Sequence, residues 1–173
     1  VLDLAPQSES ALGRLSVLYT QQERWNDLLR VYDRALTAVK DPARRIKLLR
    51  EASQLTKDVA NQPEKAIGYL QRLLPLTPDD HQLSLSLERL LERYERWADL
   101  IALWEGRLDG LSRKDREQTR LRIAACWLDN LHDAAKALAA ARPILADVED
   151  DKETCTLLER IIESSHSSRQ TRE

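Results

Sequence analysis

The chain has 173 residues, 42% of them hydrophobic and 32% charged, enough of each for a globular fold with its own core. A formal net charge of −2 excludes the basic excess that general binding to a phosphate backbone requires. No apolar run approaches the roughly 18 residues of a membrane span, and with only four glycines there is little material for phosphate-cradling loops.

Strand signals are missing: there is no Asn-Gly or Asp-Gly hairpin turn and no sustained alternation. Apolar residues recur instead at helical spacing, and nine helices are predicted in chain order. The first, 9–22, carries Leu12, Leu15, Leu18 and Tyr19; the second, 25–39, carries Leu28, Leu29, Tyr32 and Leu36. A third, 42–59, opens on Asp41-Pro42, an N-cap before a proline at the first helical position. Pro63 opens the fourth, 63–76, in the same way. The fifth, 79–94, starts at the N-cap candidate Asp79, and 97–110 follows. The seventh, 113–130, starts behind Ser112. In the eighth, 133–147, Pro143 is expected to bend or end the helix. The ninth, 151–165, lies behind Asp150, and 166–173, without an apolar face, is expected to be disordered. Gly13, Gly68, Gly106 and Gly110 all fall within or at the ends of helices rather than in the turns.

The nine elements are copies of a longer unit. Glu23-Arg24-Trp25 returns as Glu95-Arg96-Trp97, each followed by an acid (Asp27, Asp99) and a leucine (Leu28, Leu100), an offset of 95 − 23 = 72. The same offset pairs Tyr32 with Trp104, Leu36 with Leu108, Ala52 with Ala124 and Pro6 with Pro78. One residue lost near 131–133 shortens it to 71, which places Leu87-Glu88-Arg89 on Leu158-Glu159-Arg160. A fixed repeat means one helical unit copied and stacked, since a single unit cannot bury its apolar face alone. Position 1 is not methionine, and Val1–Pro6 aligns with 73–78, the end of a second helix. The chain is therefore expected to be part of a longer repeat protein.

Each copy splits into two helix pairs, whose second helices have reference positions Leu28, Ala66, Leu100 and Ala137. The first unit reads Leu15-Ser16-x-x-Tyr19, then Trp25, then Leu28-x-x-x-Tyr32. The second reads Ala66-x-x-x-Leu70, closed by Pro78. The third reads Leu87-Glu88-x-x-Leu91, Trp97 and Leu100-x-x-x-Trp104, and the fourth Ala137-x-x-x-Ala141. This pattern resembles the tetratricopeptide repeat over residues 9–165, in the style of long arrays in large bacterial proteins. The resemblance implies an all-α, right-handed α-solenoid of antiparallel helix pairs, with units at 9–40, 41–78, 79–112 and 113–148 and a capping helix at 151–165. It also implies buried aromatics at Trp25, Trp97, Tyr32 and Trp104. Leu28 and Leu100 depart from the family's alanine, so odd and even units are expected to pack at different helix separations.

No constellation of residues points to catalysis, and no cofactor or metal is expected. His81, His132 and His166 are scattered without ligand-spaced neighbours. Cys126 and Cys155 lie at non-equivalent places in the repeat and are expected to be free thiols. They fit a reducing compartment, the cytoplasm, with the periplasm as the alternative. In the resembled family first helices line a concave face, and two of these are basic. Residues 41–58 hold five basic residues against three acids, as do 113–131, whereas 147–163 holds seven acids against two. The expected partner-binding residues are Arg50, Arg89, Glu92, Arg93 and Arg122. Val17 and Arg89 stand where the family's carboxylate-clamping members have asparagine. The expected function is a protein–protein interaction module or scaffold, capturing a peptide or helix of another protein on the concave face. The alternatives are an RNA-binding helical repeat and a scaffold that associates with itself through exposed end repeats.

Overall fold

The computed structural model describes residues 9–58, 61–145, 155–157 and 159–163. The expectations for Val1–Pro6, for Asp150 as a cap and for 166–173 lie outside the described residues. Eight helices have defined bounds: α1 Glu9–Gln21, α2 Trp25–Ala38, α3 Pro42–Asp58, α4 Pro63–Leu73, α5 His81–Arg93, α6 Trp97–Glu105, α7 Arg113–Asp129 and α8 Ala134–Leu145. Residues 155–157 and 159–163 are also helical, and we label them α9. The described residues contain no strand, so the fold is all-α and of the α-solenoid type, built from antiparallel helix pairs.

Three predicted bounds shift for identifiable reasons. α4 stops at Leu73 and tightens into a 3-10 turn, Leu74–Leu76, because Pro75 has no N–H to continue the ladder. α6 ends at Glu105 before Gly106, with a second 3-10 turn at Leu108–Gly110. α5 begins at His81, since Asp80 rather than Asp79 caps it: its carboxylate accepts from the Leu83 N–H at 3.0 Å. Pro143 sits in the last turn of α8, which runs on to Leu145.

The chain divides into two compact units, Val1–Tyr94 and Glu95–Glu173. In the first, α1 to α5 pack in succession, each on the next, around Leu12, Leu28, Leu29, Leu36, Leu49, Ile67 and Leu73, all buried. In the second, α6 packs on α7 and α7 on α8. Leu157 and Ile161 of α9 enter a cluster with Ala124 and Leu128 of α7 and Ala137 and Ala141 of α8. The repeated small residues Ala52 and Ala124 are fully buried, as are Ala66 and Ala137.

Every turn from a first to a second helix passes through one residue of positive φ: Glu23 (53°), Asn61 (46°), Glu95 (54°) and His132 (53°). None of the four is glycine. The first turn is a Schellman closure: Arg24 N–H donates to Tyr19 C=O at 2.9 Å and Glu23 N–H to Thr20 C=O at 3.1 Å. The Arg24 guanidinium lies 5.0 Å from the Tyr19 ring, occupying the place of the apolar contact that usually accompanies this motif. The even turns are wider by one residue: Gln62 N–H reaches Thr56 C=O at 3.0 Å, and Asp133 N–H reaches Trp127 C=O at 2.9 Å.

This geometry explains the repeated Glu-Arg-Trp-x-Asp-Leu string. The glutamate takes the left-handed turn. The arginine begins the second helix and pairs with the aspartate in its first turn (Arg24–Asp27 at 2.7 Å, Arg96–Asp99 at 2.5 Å), an acid placed where the helix dipole favours one. The leucine is buried. The tryptophan is the first helical residue, and it corrects one expectation: Trp25 and Trp97 are only half-buried, because a side chain at the first helical position sits at the rim of the pair. Tyr32 and Trp104 are buried as expected. The Tyr32 hydroxyl donates to Glu51 at 3.1 Å. At the offset of 72 Glu51 becomes Ile123, and the buried Trp104 Nε1 has no hydrogen-bond partner among the described residues. An unsatisfied donor of this kind costs about 1–3 kcal/mol.

A glutamate in the left-handed region is strained by about 1 kcal/mol, whereas glycine is at ease there. Glu95→Gly is therefore expected to stabilise the protein by about 0.5–1 kcal/mol, seen as a higher urea midpoint with unchanged slope. Ala98→Gly, three residues on inside α6, is expected to move the midpoint down by about as much. A lower midpoint for Glu95→Gly would show that the turn is not strained.

Candidate binding site

The first-helix surface of the first unit forms a cleft between α3 and α5. On α3 the residues facing it are Arg50, Ser53, Gln54 and Lys57, one helical stripe. On α5 they are Gln82, Leu83 and Ser86, and the spacing 82, 86, 89, 93 continues that stripe to Arg89 and Arg93. Leu70 and Leu73 of α4, both buried, make the floor of a space of about 280 Å³. Polar walls over an apolar floor give a surface that can bind an extended chain by its backbone and side chains. Among the described residues no group of three or more His, Cys, Asp or Glu side chains is placed to hold a metal ion. No described helix is long and apolar enough to cross a membrane.

The expected partner-binding residues do not form one set. Arg50, Arg89, Glu92 and Arg93 belong to the first unit and Arg122 to the second. All five are exposed. Arg50 is already committed within the fold: its guanidinium donates to Asp80 at 2.7 Å, tying α3 to the N-terminus of α5. The Leu83 backbone N–H, and after it Arg50, holds the Asp80 carboxyl below the usual range. Lys47 makes a similar tie from α3 back to Glu9 of α1 at 3.1 Å. Arg93 lies 5.9 Å from the Tyr94 ring. In the second unit the Arg122 guanidinium lies 4.3 Å from the Trp104 ring, and Arg116 donates to the Leu108 and Leu111 carbonyls at 3.0 and 3.2 Å. Part of the basic character read from α3 and α7 thus serves the scaffold.

Sequence reasoning missed Asp80 as the acceptor for Arg50 and Asp133 as the cap of α8, where its carboxylate accepts from the Lys136 N–H at 3.0 Å. An acid three or four residues before the first buried position, Leu83 and Ala137 respectively, was the available signal. It also missed two tyrosine–carboxylate ties in the first unit. One is Tyr32 to Glu51; the other is Tyr69 of α4, which donates to Asp33 of α2 at 2.8 Å. Burial, and after it the neighbouring carboxylate, pushes both phenols up, Tyr32 to about 12. Cys126 is buried in α7 and Cys155 exposed in α9, both free.

Among known families, the tetratricopeptide repeat matches residues 11–46, which span α1, the first left-handed turn, α2 and the start of α3. No curated protein matches the chain. Among solved structures it is similar to a MamA RS-1 ArsTM double mutant, at 12% identity and a TM-score of 0.41, over 94% of this chain and 98% of that one.

Two outcomes follow for the ties around the cleft. Asp80→Ala is expected to cost about 1 kcal/mol through loss of the α5 cap. Asp80→Asn keeps an acceptor there and loses only an exposed ion pair, a few tenths of a kcal/mol; equal losses in thermal melts would mean that the cap is not the main term. For Tyr32, a folded pKa raised above the unfolded value of 10.0 gives stability that is complete below pH 10 and lost as pH rises towards about 12. Tyr32→Phe should flatten part of that decline in unfolding free energy measured from pH 9 upwards, Tyr69 contributing the same sign.

Proposed function

We propose that this chain, which belongs to the tetratricopeptide-repeat family by the match over residues 11–46, captures an acidic peptide segment of a partner protein in the α3–α5 cleft. Family membership supports a protein–protein interaction module in general. The observation that carries the finer reading is the charge of the two stripes. Lys57 lines the cleft on the α3 side, and on α5 the exposed Arg89 and Arg93 continue the helical stripe of Gln82 and Ser86 beyond the residues that line it. The rigid helices hold these cations in place before a ligand arrives, so a bound segment bears most of the ordering cost. Arg50 has a secondary role here, because its pairing with Asp80 makes it part of the wall. Glu92, on the same turn of α5, would set register by repelling a misplaced acid.

Exposed charges are screened beyond about 8 Å at physiological ionic strength, so affinity should fall steadily as salt rises. Reversing Arg89 and Arg93 together to glutamate is expected to remove binding of a Glu/Ser peptide, measured by fluorescence anisotropy. The melting temperature should stay nearly unchanged, since exposed charges contribute little to stability. Undiminished binding by the double variant would sink the reading. Tighter binding of a single-stranded RNA than of the peptide would transfer these arginines to phosphate recognition instead.

A further inference from the structure

Within the first unit, each first helix that follows another pair carries a second helix on its leading side: α2 packs on α3, and α4 on α5. The α4–α5 contact shows what that side requires. Leu83 of α5 lies with Leu70 and Leu73 of α4 along one cleft, and Leu83 and Leu87 are 7% and 1% exposed. Leu90 continues the stripe at helical spacing and is half-buried. At the offset of 72, Leu87 and Leu90 become Leu15 and Leu18 of α1. Both lose cover: Leu15 is half-buried, and Leu18 is 51% exposed. Leu12, which shares a pocket with Tyr32 of α2, is only 6% exposed, so the shortfall is confined to the other flank of α1.

We infer that this leading side of α1 is a docking face for the second helix of a further repeat unit, joined ahead of α1 as α4 is joined ahead of α5. The loss of cover at Leu15 and Leu18, where the same side of α5 is closed, is one support. The sequence ahead of α1 is the other. At the offset of 72, Val1-Leu2-Asp3-Leu4-Ala5-Pro6 falls on Leu73-Leu74-Pro75-Leu76-Thr77-Pro78, the last residue of α4 and the turn that leads to α5. A second copy of the chain fits less well. Its α2 and α4 each lie between two first helices already, and its α8 lies between α7 and α9. The docked helix carries the α4 pattern, a small residue followed at i+4 and i+7 by large apolar ones, as in Ala66, Leu70 and Leu73. Covering Leu15 and Leu18 with it excludes water from the stripe, which is how stacked repeats gain stability. The face uses no residue of the α3–α5 cleft and does not depend on the acidic-peptide reading.

Val1 stands at the place of Leu73, so the residues three and seven places before it stand at those of Leu70 and Ala66 (73 − 70 and 73 − 66). The native polypeptide can be recovered from its source with an antibody to this chain and its peptides mapped by mass spectrometry. A large apolar residue is expected three places before Val1, and a small one seven places before. A polypeptide that starts at or just before Val1, or polar residues at both places, would overturn the inference. A second arm joins a copy of Asn61–Arg72 ahead of Val1 in the full chain, which keeps the register. This extension is expected to raise the urea midpoint, and Leu18→Glu to remove most of the gain. The same substitution without the extension should change the midpoint little, because Leu18 is exposed there. Leu85→Glu, at an exposed leucine off this face, is expected to leave the gain intact. An extended chain no more stable than its parent, or a gain untouched by Leu18→Glu, would also count against the docking face. Reversal of Arg89 and Arg93 bears on the α3–α5 cleft alone, so the two readings fail separately.

Discussion

A helix pair closes only if the chain can reverse within three or four residues, and in this protein each such turn passes through a single residue in the left-handed region. The four residues that adopt it, Glu23, Asn61, Glu95 and His132, stand five positions before Leu28, Ala66, Leu100 and Ala137, all buried to within 1%. The turn therefore sets the phase of the second helix, and the phase decides which residue faces the core. Unit length can vary, at 38, 34 and 37 residues between successive left-handed residues (61 − 23, 95 − 61, 132 − 95), because length is absorbed elsewhere while the five-residue step is kept. The wider closure at Gln62 and Asp133 accompanies the small residues Ala66 and Ala137, and the tighter one at Arg24 accompanies Leu28.

Much of this was legible in the sequence. Helical periodicity and proline and serine caps placed every helix with defined bounds, because burial of one face and satisfaction of terminal N–H groups are local demands. The 72-residue register found the equivalence of Tyr32 with Trp104 and of Ala52 with Ala124 before any packing was known. The half-exposure of Trp25 and Trp97 was not legible. Their recurrence signalled a structural role, but whether an aromatic ring at the first helical position is covered depends on how the preceding turn closes. Pairings between helices were also hidden: Arg50 reaches Asp80 across thirty residues, and Tyr69 reaches Asp33 across thirty-six, with no periodic signal in either case.

The same charges serve two ends, and the distinction shapes the binding surface. Arginines that reach an acid on the next first helix hold neighbouring helices in register and leave the local field nearly neutral. Those further along the stripe, Arg89 and Arg93, are exposed, and in the proposed function they are the charges that a ligand meets. A chain of slightly negative net charge can thus carry a locally basic strip, because its acids are concentrated elsewhere, notably in 147–163.

The exchange of Tyr32–Glu51 for Trp104–Ile123 bears on how such a repeat can evolve. Tandem copies recombine with one another, and a crossover replaces everything on one side of the break. A break between positions 32 and 51 of one copy would join a phenol to an isoleucine, or an indole to a glutamate. The first leaves a buried hydroxyl without its acceptor; the second sets a carboxylate beside a buried indole N–H that otherwise has no partner among the described residues. The two exchanges are therefore unequal, and the register of a crossover decides whether a repeat loses a buried hydrogen bond or gains one.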